Sequence, residues 1–301
     1  MTAAPFNRVA IIGVGLIGGS FALALKRAGL AGRVFGVGRG RANLERALEL
    51  GVIDEIAGDA AAACANADLV LLATPVGQMA AVMRDIAHVL PATAVITDGG
   101  STKQDVVALA RRHLAAHLPR FVPAHPIAGG EKSGAEAAHA DLFDQRKVIL
   151  TPLPETAADA AAQVAAAWRG CGAQVFELSP DLHDRIYAAV SHLPHLLAFA
   201  LIDGFAAKPH ADLLFEFAGR GLTDTLRLAG GNPEMWRDIA LANRDALLAE
   251  LDDHLGRLGA ARAMLAANDG DGLEALFAKA RQATSSRRRP GPSAQARSSR
   301  R

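Results

Sequence analysis

Residues 8–19 read RVAIIGVGLIGG, and this stretch decides the fold. The apolar run over 8–12 predicts a buried strand, and the helical spacing of apolar residues over 17–28 predicts a helix directly after it. Between the two lies the pattern GxGxxG, which is a weak signal alone. A strand before it and a helix after it are the context that indicates a dinucleotide-binding loop.

Each glycine of this loop has its own physical role. Gly13 permits the tight turn, Gly15 lets the backbone approach a pyrophosphate, and Gly18 allows the helix to pack closely on the strand. Leu16 and Ile17 open the helix, whose free N–H groups and partial positive charge attract phosphate. We therefore predict that these five residues bind the cofactor.

The end of the second predicted strand, over 33–37, bears on which dinucleotide binds. An NAD site usually places Asp or Glu there to bond the ribose 2′-hydroxyl. Here the strand is followed by Gly38 and Arg39. Glycine removes the carboxylate that would repel a 2′-phosphate, and arginine offers a planar donor fork that suits phosphate. The pattern favours NADP, or tolerance of both NADP and NAD.

The same alternation of strand and helix continues through the first part of the chain. Near-uniformly apolar strands separated by helices are typical of a parallel sheet covered on both faces. Strands are predicted over 8–12, 33–37, 68–73, 94–97, 120–123, 147–151 and 174–177, with helices over 17–28, 43–50, 76–90, 102–116 and 156–171. After about residue 179 only helical periodicity remains.

The predicted fold class is therefore an α/β Rossmann-type, doubly wound, mostly parallel sheet followed by an all-α domain. We predict a dinucleotide-binding domain over 1–178 and a helical substrate and dimerisation domain over 179–283. Residues 284–301 carry six arginines, no acid and no large apolar residue, so we predict a disordered basic tail. The remaining chain is net acidic, which argues against nucleic acid as a partner.

Composition limits the compartment and the class of protein. Half of the 301 residues are hydrophobic and 21% are charged, which is a globular composition long enough for about two domains. Two cysteines, Cys64 and Cys171, cannot form a disulfide framework, so a reducing cytoplasm is expected. No apolar run reaches the roughly 18 residues that cross a bilayer, and no signal peptide is evident, so we expect no membrane.

Several chemistry-bearing segments follow strands of the predicted sheet. Thr74 and Pro75 close one strand, DGGSTK (98–103) follows another, and HPIAGGEKSG (125–134) follows a third. Ligands of open α/β sheets bind beyond the carboxyl ends of strands, so these segments should face the cofactor. We interpret His125, among prolines and glycines, as a functional loop residue. Ser101 could bond His125 or a substrate hydroxyl, and could also cap the next helix.

Polar residues also recur on the predicted helices after residue 179. Ser191 and His195 are four residues apart and share a helix face, and Pro194 between them should kink the helix. Arg227 lies on an otherwise apolar stretch, nine residues before Trp236, and needs an anionic partner if it is buried.

Together these segments resemble the prephenate/arogenate dehydrogenase family, collinearly from Val9 to about Glu250. The matching motifs are GVGLIGGS (13–20), DGGSTK, HPIAGGEKSG, HDRIYAAVSHLPH (183–195) and the spacing of Arg227 and Trp236. The first motif is shared with many dehydrogenases, whereas HPIAGGEKSG combined with SHLPH is specific. The resemblance implies oxidative decarboxylation of prephenate to 4-hydroxyphenylpyruvate with NAD(P)+, in tyrosine biosynthesis.

The resemblance also implies the roles of individual residues. The catalytic histidine of the family corresponds to His125 and its active-site serine to Ser101. Its substrate-carboxylate arginine corresponds to Arg227, and its second-domain polar residues correspond to Ser191 and His195. On the substrate side the resemblance adds Gly130, where similar proteins often carry threonine, and Glu131. No metal is implied.

Three alternatives stay open. The substrate could be arogenate, or the enzyme could be a dual-substrate cyclohexadienyl dehydrogenase, because no residue decides between them. Hydroxyacid dehydrogenases of similar build place a catalytic lysine on a second-domain helix, but none occurs here between residue 179 and Lys208. A remote alternative is a non-catalytic NADP-binding regulator that reaches nucleic acid through its basic tail.

The apolar helix faces and the resemblance predict a homodimer formed through the C-terminal helices.

Overall fold

The apolar run after Arg8 forms the centre of a parallel sheet. In the computed structural model residues 5–130 and 132–287 are described, the last two by their backbone only. The strands are β1 (Phe6–Ile12), β2 (Ala31–Val37), β3 (Glu55–Ile56), β4 (Leu69–Leu72), β5 (Val95–Asp98), β6 (Phe121–Val122), β7 (Ala124–Pro126), β8 (Lys147–Leu150) and β9 (Gln174–Glu177).

Helices follow most of these strands and then make up the rest of the chain. They are α1 (Leu16–Arg27), α2 (Arg41–Glu49), α3 (Ala60–Cys64), α4 (Met79–Ile86), α5 (Gln104–His113), α6 (Ala158–Gly170), α7 (Pro180–Tyr187), α8 (Leu193–Ala206), α9 (Ala211–Glu216), α10 (Arg220–Ala229), α11 (Pro233–Ala242), α12 (Arg244–Ala266) and α13 (Gly270–Arg287).

The main sheet has six parallel strands in the order β3-β2-β1-β4-β5-β6. Its register aligns Ile12 with Val37 and Leu72, and Leu72 with Asp98. The carboxyl ends of four neighbouring strands therefore meet at one edge. A second sheet holds β7, β8 and β9, with β7 antiparallel to β8. The predicted fold class, a doubly wound and mostly parallel sheet followed by helices, is confirmed.

The strand predicted over 120–123 corresponds to β6, and a second strand, β7, begins directly after it in the other sheet. β6 ends at Val122, and β7 begins at Ala124 in the second sheet. Pro123 lies between them and has no N–H to donate to a continuing ladder, while its carbonyl accepts from the backbone N–H of Thr151 (2.9 Å). This change of sheet matters because it places His125 in a strand.

Apolar side chains cover both faces of the main sheet. On one face Phe21 of α1 packs against Trp168 of α6, with ring centroids 4.4 Å apart, and both side chains are fully buried. Burial of a side chain of this size contributes roughly 1.5–3 kcal/mol. On the other face Met79 and Met83 of α4 pack beneath the strands. The sheet is thus a rigid support for the residues at its carboxyl edge.

The described residues divide into two compact units, with the boundary between Leu247 and Leu248. The first unit holds both sheets and the helices up to the first turn of α12. The described part of the second holds the remainder of α12 and α13, which runs to Arg287. The predicted tail starts at Thr284, so its first four residues belong to α13, and its part from 288 onward lies outside the described residues.

The helical segment Pro180–Ala206 is long enough, and with a mean hydropathy of 1.4 apolar enough, to cross a membrane by length and composition alone. Core helices of folded proteins pass the same test. Its His183 and Asp184 are fully buried, and Asp184 bonds the backbone at the start of α5. These bonds place the beginning of the segment inside the protein.

Candidate active site

His125 lies in strand β7, directly opposite Ile149 of β8. The prediction that it is a loop residue was therefore wrong, because the chain enters the second sheet immediately after Pro123. The strand holds its backbone rigidly at the carboxyl edge of the main sheet. A Cβ on Gly99, at the end of β5, would lie 3.3 Å from Ile17 and 3.9 Å from Pro126. Gly99 therefore lies between Pro126, the residue next to His125, and Ile17 of the loop predicted to bind the cofactor.

A chain of hydrogen bonds runs from His125 into the interior. Its Nδ1 lies 2.8 Å from Nε2 of His183, and Nδ1 of His183 lies 2.8 Å from Oδ1 of Asp184. The carboxylate of Asp184 in turn accepts the backbone N–H groups of Lys103 and Gln104, both at 2.8 Å. Three side chains from β7 and α7 are thereby fixed to the first turn of α5.

These bonds correct one prediction about Ser101. The helix starts at Gln104 with Lys103 as its N-cap, and the capping acceptor is the carboxylate of Asp184. Ser101 therefore lies before the helix and does not cap it. Of the two partners proposed for its hydroxyl, His125 or a substrate hydroxyl, the first is not bonded to it: Nδ1 of His125 is paired with His183, and no described residue bonds the Ser101 hydroxyl. The hydroxyl is half-buried and can bond a ligand.

A buried ion pair lies beneath His125. Lys103 and Asp98 are both fully buried and bonded to each other. The ammonium also donates to the carbonyl of Ala124 (2.7 Å), and Oδ1 of Asp98 accepts the N–H of Ala124 (3.0 Å). The end of β5 is thereby bonded to the residue next to His125. No role for either residue was predicted from DGGSTK, although a strand that ends in an acid five positions before a lysine is a usable signal.

The surroundings keep the imidazole of His125 uncharged. Its pKa is lowered well below the usual value, first by burial and then by interaction with the neighbouring His183, Lys103 and His192, beside which a further positive charge is unfavourable. Burial also lowers the pKa of His183, against the opposing effect of its bond to Asp184. A neutral imidazole can accept a proton, which is the property that a general base requires.

A second cluster forms around His195 on α8. Its ring stacks on that of Trp236 from α11, with centroids 3.7 Å apart and planes at 23°. Its Nδ1 lies 2.8 Å from the backbone carbonyl of Ser191, four residues earlier in the chain. The disturbance expected from Pro194 takes the form of a π turn, Ala188–His192, immediately before α8.

Arg227 belongs to the same cluster. It is exposed on α10. Its guanidinium therefore does not need an anionic partner within the protein, as a buried one would. Its charge reaches His195, whose pKa is lowered first by burial and also by Arg227, against the bond to Ser191. An exposed guanidinium beside a neutral imidazole and an indole is suited to an organic anion with a ring.

His192 and Asn243 join the two clusters. The amide nitrogen of Asn243 donates to the backbone carbonyl of Asp184 (2.8 Å) and lies 3.0 Å from Nδ1 of His192. Both side chains are buried, and burial lowers the pKa of His192 to about 4. This connection was not predicted from the sequence, because a lone Asn in the turn between two helices has no local signature.

The glycine-rich loop has the shape that a dinucleotide needs. Gly13 has φ of +104°, and a Cβ there would lie 2.5 Å from the carbonyl oxygen of Ala73; on Gly18 it would lie 2.2 Å from that of Gly13. A Cβ on Gly15 would meet no atom of the described part of the chain within 4 Å, so this glycine leaves space open. Helix α1 starts directly after it, and none of the described side chains caps its N–H groups. These residues fit a pyrophosphate.

Residues beside this loop complete the edge. The Thr74 hydroxyl is buried and has no partner among the described residues, which leaves it to a ligand, and Pro75 follows it. Asn43 donates to the carbonyl of Val14 (2.7 Å) and accepts the N–H of Ala135 (2.8 Å). It therefore ties the loop to the segment that follows His125.

Two further predicted site residues lie near the loop, and one cannot be placed. Arg39 is exposed after β2, whereas Arg41 is held by Glu45 (2.7 Å). Gly130 is exposed, and a Cβ on it would lie 3.4 Å from Leu16. Glu131 lies outside the described residues.

Comparisons with known proteins agree with this geometry. The family profile described as "Prephenate dehydrogenase, nucleotide-binding domain" matches residues 21–177, and "Prephenate dehydrogenase, dimerization domain" matches residues 179–279. Prephenate dehydrogenase of Bacillus subtilis is 36% identical over 91% of this chain and 74% of the relative. Cyclohexadienyl dehydrogenase of Zymomonas mobilis is 37% identical over 92% and 95%.

Solved structures are similar as well. Prephenate dehydrogenase from Aquifex aeolicus, in complex with hydroxyphenyl propionate and NAD+, has a TM-score of 0.85 and 34% identity, covering 93% of this chain and 98% of that one. Synechocystis arogenate dehydrogenase has a TM-score of 0.78 and 28% identity, covering 93% and 99%.

Proposed function

This chain belongs to the prephenate dehydrogenase family, and from that premise we propose that it oxidatively decarboxylates prephenate to 4-hydroxyphenylpyruvate in tyrosine biosynthesis. The observation that carries the proposal is the placement of His125. Its uncharged imidazole is fixed in a strand beside the glycine-rich loop, and this is where a base must act on a substrate held against a dinucleotide.

The chemistry of the substrate defines what the protein must do. Prephenate carries a ring hydroxyl on C4 and a carboxylate on C1. A bound oxidised nicotinamide supplies the acceptor for the hydride that leaves C4. His125 takes the hydroxyl proton as the C4–O bond becomes a carbonyl, and a positioned base of this kind contributes roughly 10²–10⁴-fold. The C1–carboxylate bond then breaks, its electron pair enters the ring, and the proton held by His125 returns to the phenolic oxygen.

Other residues hold the substrate while this occurs. The guanidinium of Arg227 binds a carboxylate of the dianion, and the cluster of Ser191, His195 and Trp236 forms the wall beside it. The free hydroxyl of Ser101 bonds the C4 hydroxyl and orients it toward His125. Because aromatisation makes the reaction favourable, catalysis depends mainly on orientation and charge placement.

A second candidate function is favoured by one relative. The Zymomonas mobilis protein is named cyclohexadienyl dehydrogenase, so an enzyme that accepts both prephenate and arogenate is the alternative. Arogenate bears an amino group where prephenate bears a keto group. Gly130 removes the hydroxyl contact that a threonine would offer there, and this suits a site with relaxed side-chain selection.

The test is absorbance at 340 nm with prephenate or arogenate, each paired with NAD+ or NADP+. Reduction with prephenate supports the main proposal, reduction with both substrates supports the alternative, and cofactor binding without any turnover contradicts both.

His125→Asn should lower kcat by roughly 10²–10⁴-fold with little change in KM. The matched control is His88→Asn, at an exposed histidine in the turn after α4, and it should leave kcat unchanged. Near-normal kcat in His125→Asn would overturn the role of that residue.

We also propose that the enzyme is a cytoplasmic homodimer that assembles through its C-terminal helices. Large apolar side chains of the first unit stand exposed on α8, α9 and α11 and in the turn after α9: Leu201, Leu213, Leu241 and Phe217. Phe217 is 80% exposed, which is costly unless a second copy covers it. Light scattering should give twice the chain mass, and Phe217→Ser should reduce it toward one chain. A wild-type monomer at micromolar concentration would contradict the dimer.

A further inference from the structure

We propose that His183 is a positioning residue for His125: it accepts the Nδ1–H of His125 and so keeps the Nε2 lone pair of His125 free for the substrate hydroxyl. The inference rests on the proposed function and adds a residue to it. The carboxylate of Asp184 determines which ring donates in this bond. The backbone N–H groups at the start of α5 in turn make the oxygens of Asp184 hydrogen-bond acceptors.

The backbone of α5 fixes the direction of the first hydrogen bonds in this chain. Backbone N–H groups can only donate, and those of Lys103 and Gln104 point at the two different oxygens of Asp184. Both oxygens are therefore acceptors. Oδ1 also lies 2.8 Å from Nδ1 of His183, so that nitrogen must carry a proton.

The direction then passes along the chain of rings. A neutral imidazole has one N–H and one lone pair, so His183 with its proton on Nδ1 presents a lone pair at Nε2. Nδ1 of His125 lies 2.8 Å from that lone pair and must carry the proton of this bond. Nε2 of His125 is left as the acceptor. Without His183 the imidazole could adopt the other tautomer, whose Nε2–H cannot take a proton.

Both rings must be neutral for this to hold, and their surroundings favour it. Burial lowers the pKa of His125 and of His183, and the ammonium of Lys103 lowers both further. Tyr187 packs against the two imidazoles, with ring centroids 4.8 Å from His125 and 4.5 Å from His183. The pKa of its hydroxyl is raised to about 12, so it brings no charge. Packing thus fixes the plane of each ring while the hydrogen bonds fix its protons.

The position of Asp184 adds a second consequence. Its carboxylate is bonded at the start of α5, directly after the segment that holds Ser101. The same carboxylate therefore anchors both the ring that orients His125 and the backbone that carries the proposed substrate-orienting hydroxyl. The relative placement of base and hydroxyl is set by one buried group.

The first test reads the tautomer without any turnover. Full-length protein labelled with ¹⁵N-histidine is examined by long-range ¹H–¹⁵N correlation at pH 7.5, and His125 is assigned from the signal missing in His125→Asn. The expected pattern is a protonated Nδ1 and an unprotonated Nε2. A protonated Nε2 in wild-type protein would overturn the inference, even if the enzyme oxidises prephenate. Conversely, absence of turnover with the expected tautomer would contradict the proposed function alone.

The second test separates positioning from folding. His183→Leu removes the acceptor and should lower kcat roughly 10²-fold with KM changed less than about threefold. His183→Gln keeps an oxygen near the place of Nε2 and should recover about tenfold of that loss. In the double variant with His125→Asn, His183→Leu should cost nothing more, because both act through one base.

Three results would contradict the positioning role: kcat of His183→Leu within about threefold of wild type, no recovery in His183→Gln, or losses that multiply in the double variant. If His183→Leu does not fold, His183→Gln and the wild-type tautomer decide. The control is His88→Leu, which should leave kcat and thermal stability unchanged.

Discussion

Lys103 and Asp98 form an ion pair in which both side chains are fully buried. Taking two charges out of water is costly, and their attraction offsets that cost only if the remaining donors and acceptors are bonded. Here the ammonium also bonds the Ala124 carbonyl, and the carboxylate accepts the N–H groups of Ala124 and Gly100. The pair is thus a fixed joint between β5 and the strand that carries His125.

Removal of one partner should be strongly destabilising. Lys103→Met leaves the carboxylate of Asp98 buried and unpaired, so we expect the free energy of unfolding to fall by about 3–5 kcal/mol. The measurement is urea denaturation at pH 7.5. The control is Lys26→Met, which breaks a partly exposed pair with Asp54 and should cost about 1 kcal/mol or less. Equal losses in the two variants would contradict this account of the buried pair.

A second prediction concerns stability in acid. Burial lowers the pKa of His192 to about 4, whereas an unfolded histidine has its ordinary value of 6.5. Between pH 6.5 and about 4 the unfolded chain therefore binds more protons than the native one, so stability present above pH 6.5 is lost as the pH falls through this window. The contribution of His192 is about 3 kcal/mol.

The measurement is the free energy of unfolding from pH 7.5 to 4.5 in wild type and in His192→Asn. The variant cannot titrate, and its amide oxygen can still accept the bond from Asn243. We expect its stability to fall less steeply with acid than that of wild type. His88→Asn should follow the wild-type curve. Parallel curves for wild type and His192→Asn would show that the imidazole is charged in the native state.

The main sheet and the glycine-rich loop were predictable because their signals are local. Apolar runs and GxGxxG specify strand, turn and helix within about twenty residues. The hydrogen bonds of His125 were not, because His183 lies 58 positions away and reaches it only in the folded chain. The prediction that Ser101 caps the helix was wrong for the same reason: the capping acceptor is the carboxylate of Asp184, which lies 81 positions from Lys103 in the sequence.

The substrate arginine gives a third prediction. Arg227→Gln should raise KM for prephenate roughly 10–10²-fold and change kcat little, because the lost carboxylate contact is made equally in the ground state and the transition state. Initial rates across a range of prephenate concentrations measure both constants. Arg185→Gln is the matched control, since Arg185 is exposed and held by Asp181 (2.7 Å). A fall in kcat at unchanged KM would place Arg227 in the chemical step and not in binding.

Cofactor preference gives a fourth prediction. Arg39→Gln should lower kcat/KM for NADP+ by roughly tenfold or more and leave that for NAD+ nearly unchanged, because only NADP+ carries the 2′-phosphate. Gly38→Asp should shift preference toward NAD+, and a Cβ there meets only Leu44, at 3.4 Å. Arg41→Gln is the control, because Glu45 already holds that guanidinium. Equal effects on both cofactors would contradict a phosphate contact at Arg39.

The glycines of the loop give a fifth prediction, which separates folding from binding. Gly15 has an extended backbone (φ −110°, ψ −157°) that any residue adopts, and a Cβ there meets nothing within 4 Å. Gly15→Ala should therefore fold with a Tm close to wild type, yet weaken dinucleotide binding at least tenfold in a fluorescence titration, because its methyl group occupies the approach of the pyrophosphate.

Gly18→Ala, in contrast to Gly15→Ala, should lower the Tm. Its Cβ would lie 2.2 Å from the carbonyl oxygen of Gly13 and 2.9 Å from Ile11, so helix α1 must move off the sheet and Tm must fall. Gly58→Ala, in open space on the surface, should change neither Tm nor affinity. If Gly15→Ala bound the dinucleotide as tightly as wild type, the pyrophosphate could not lie over that glycine, and the loop would support the fold only.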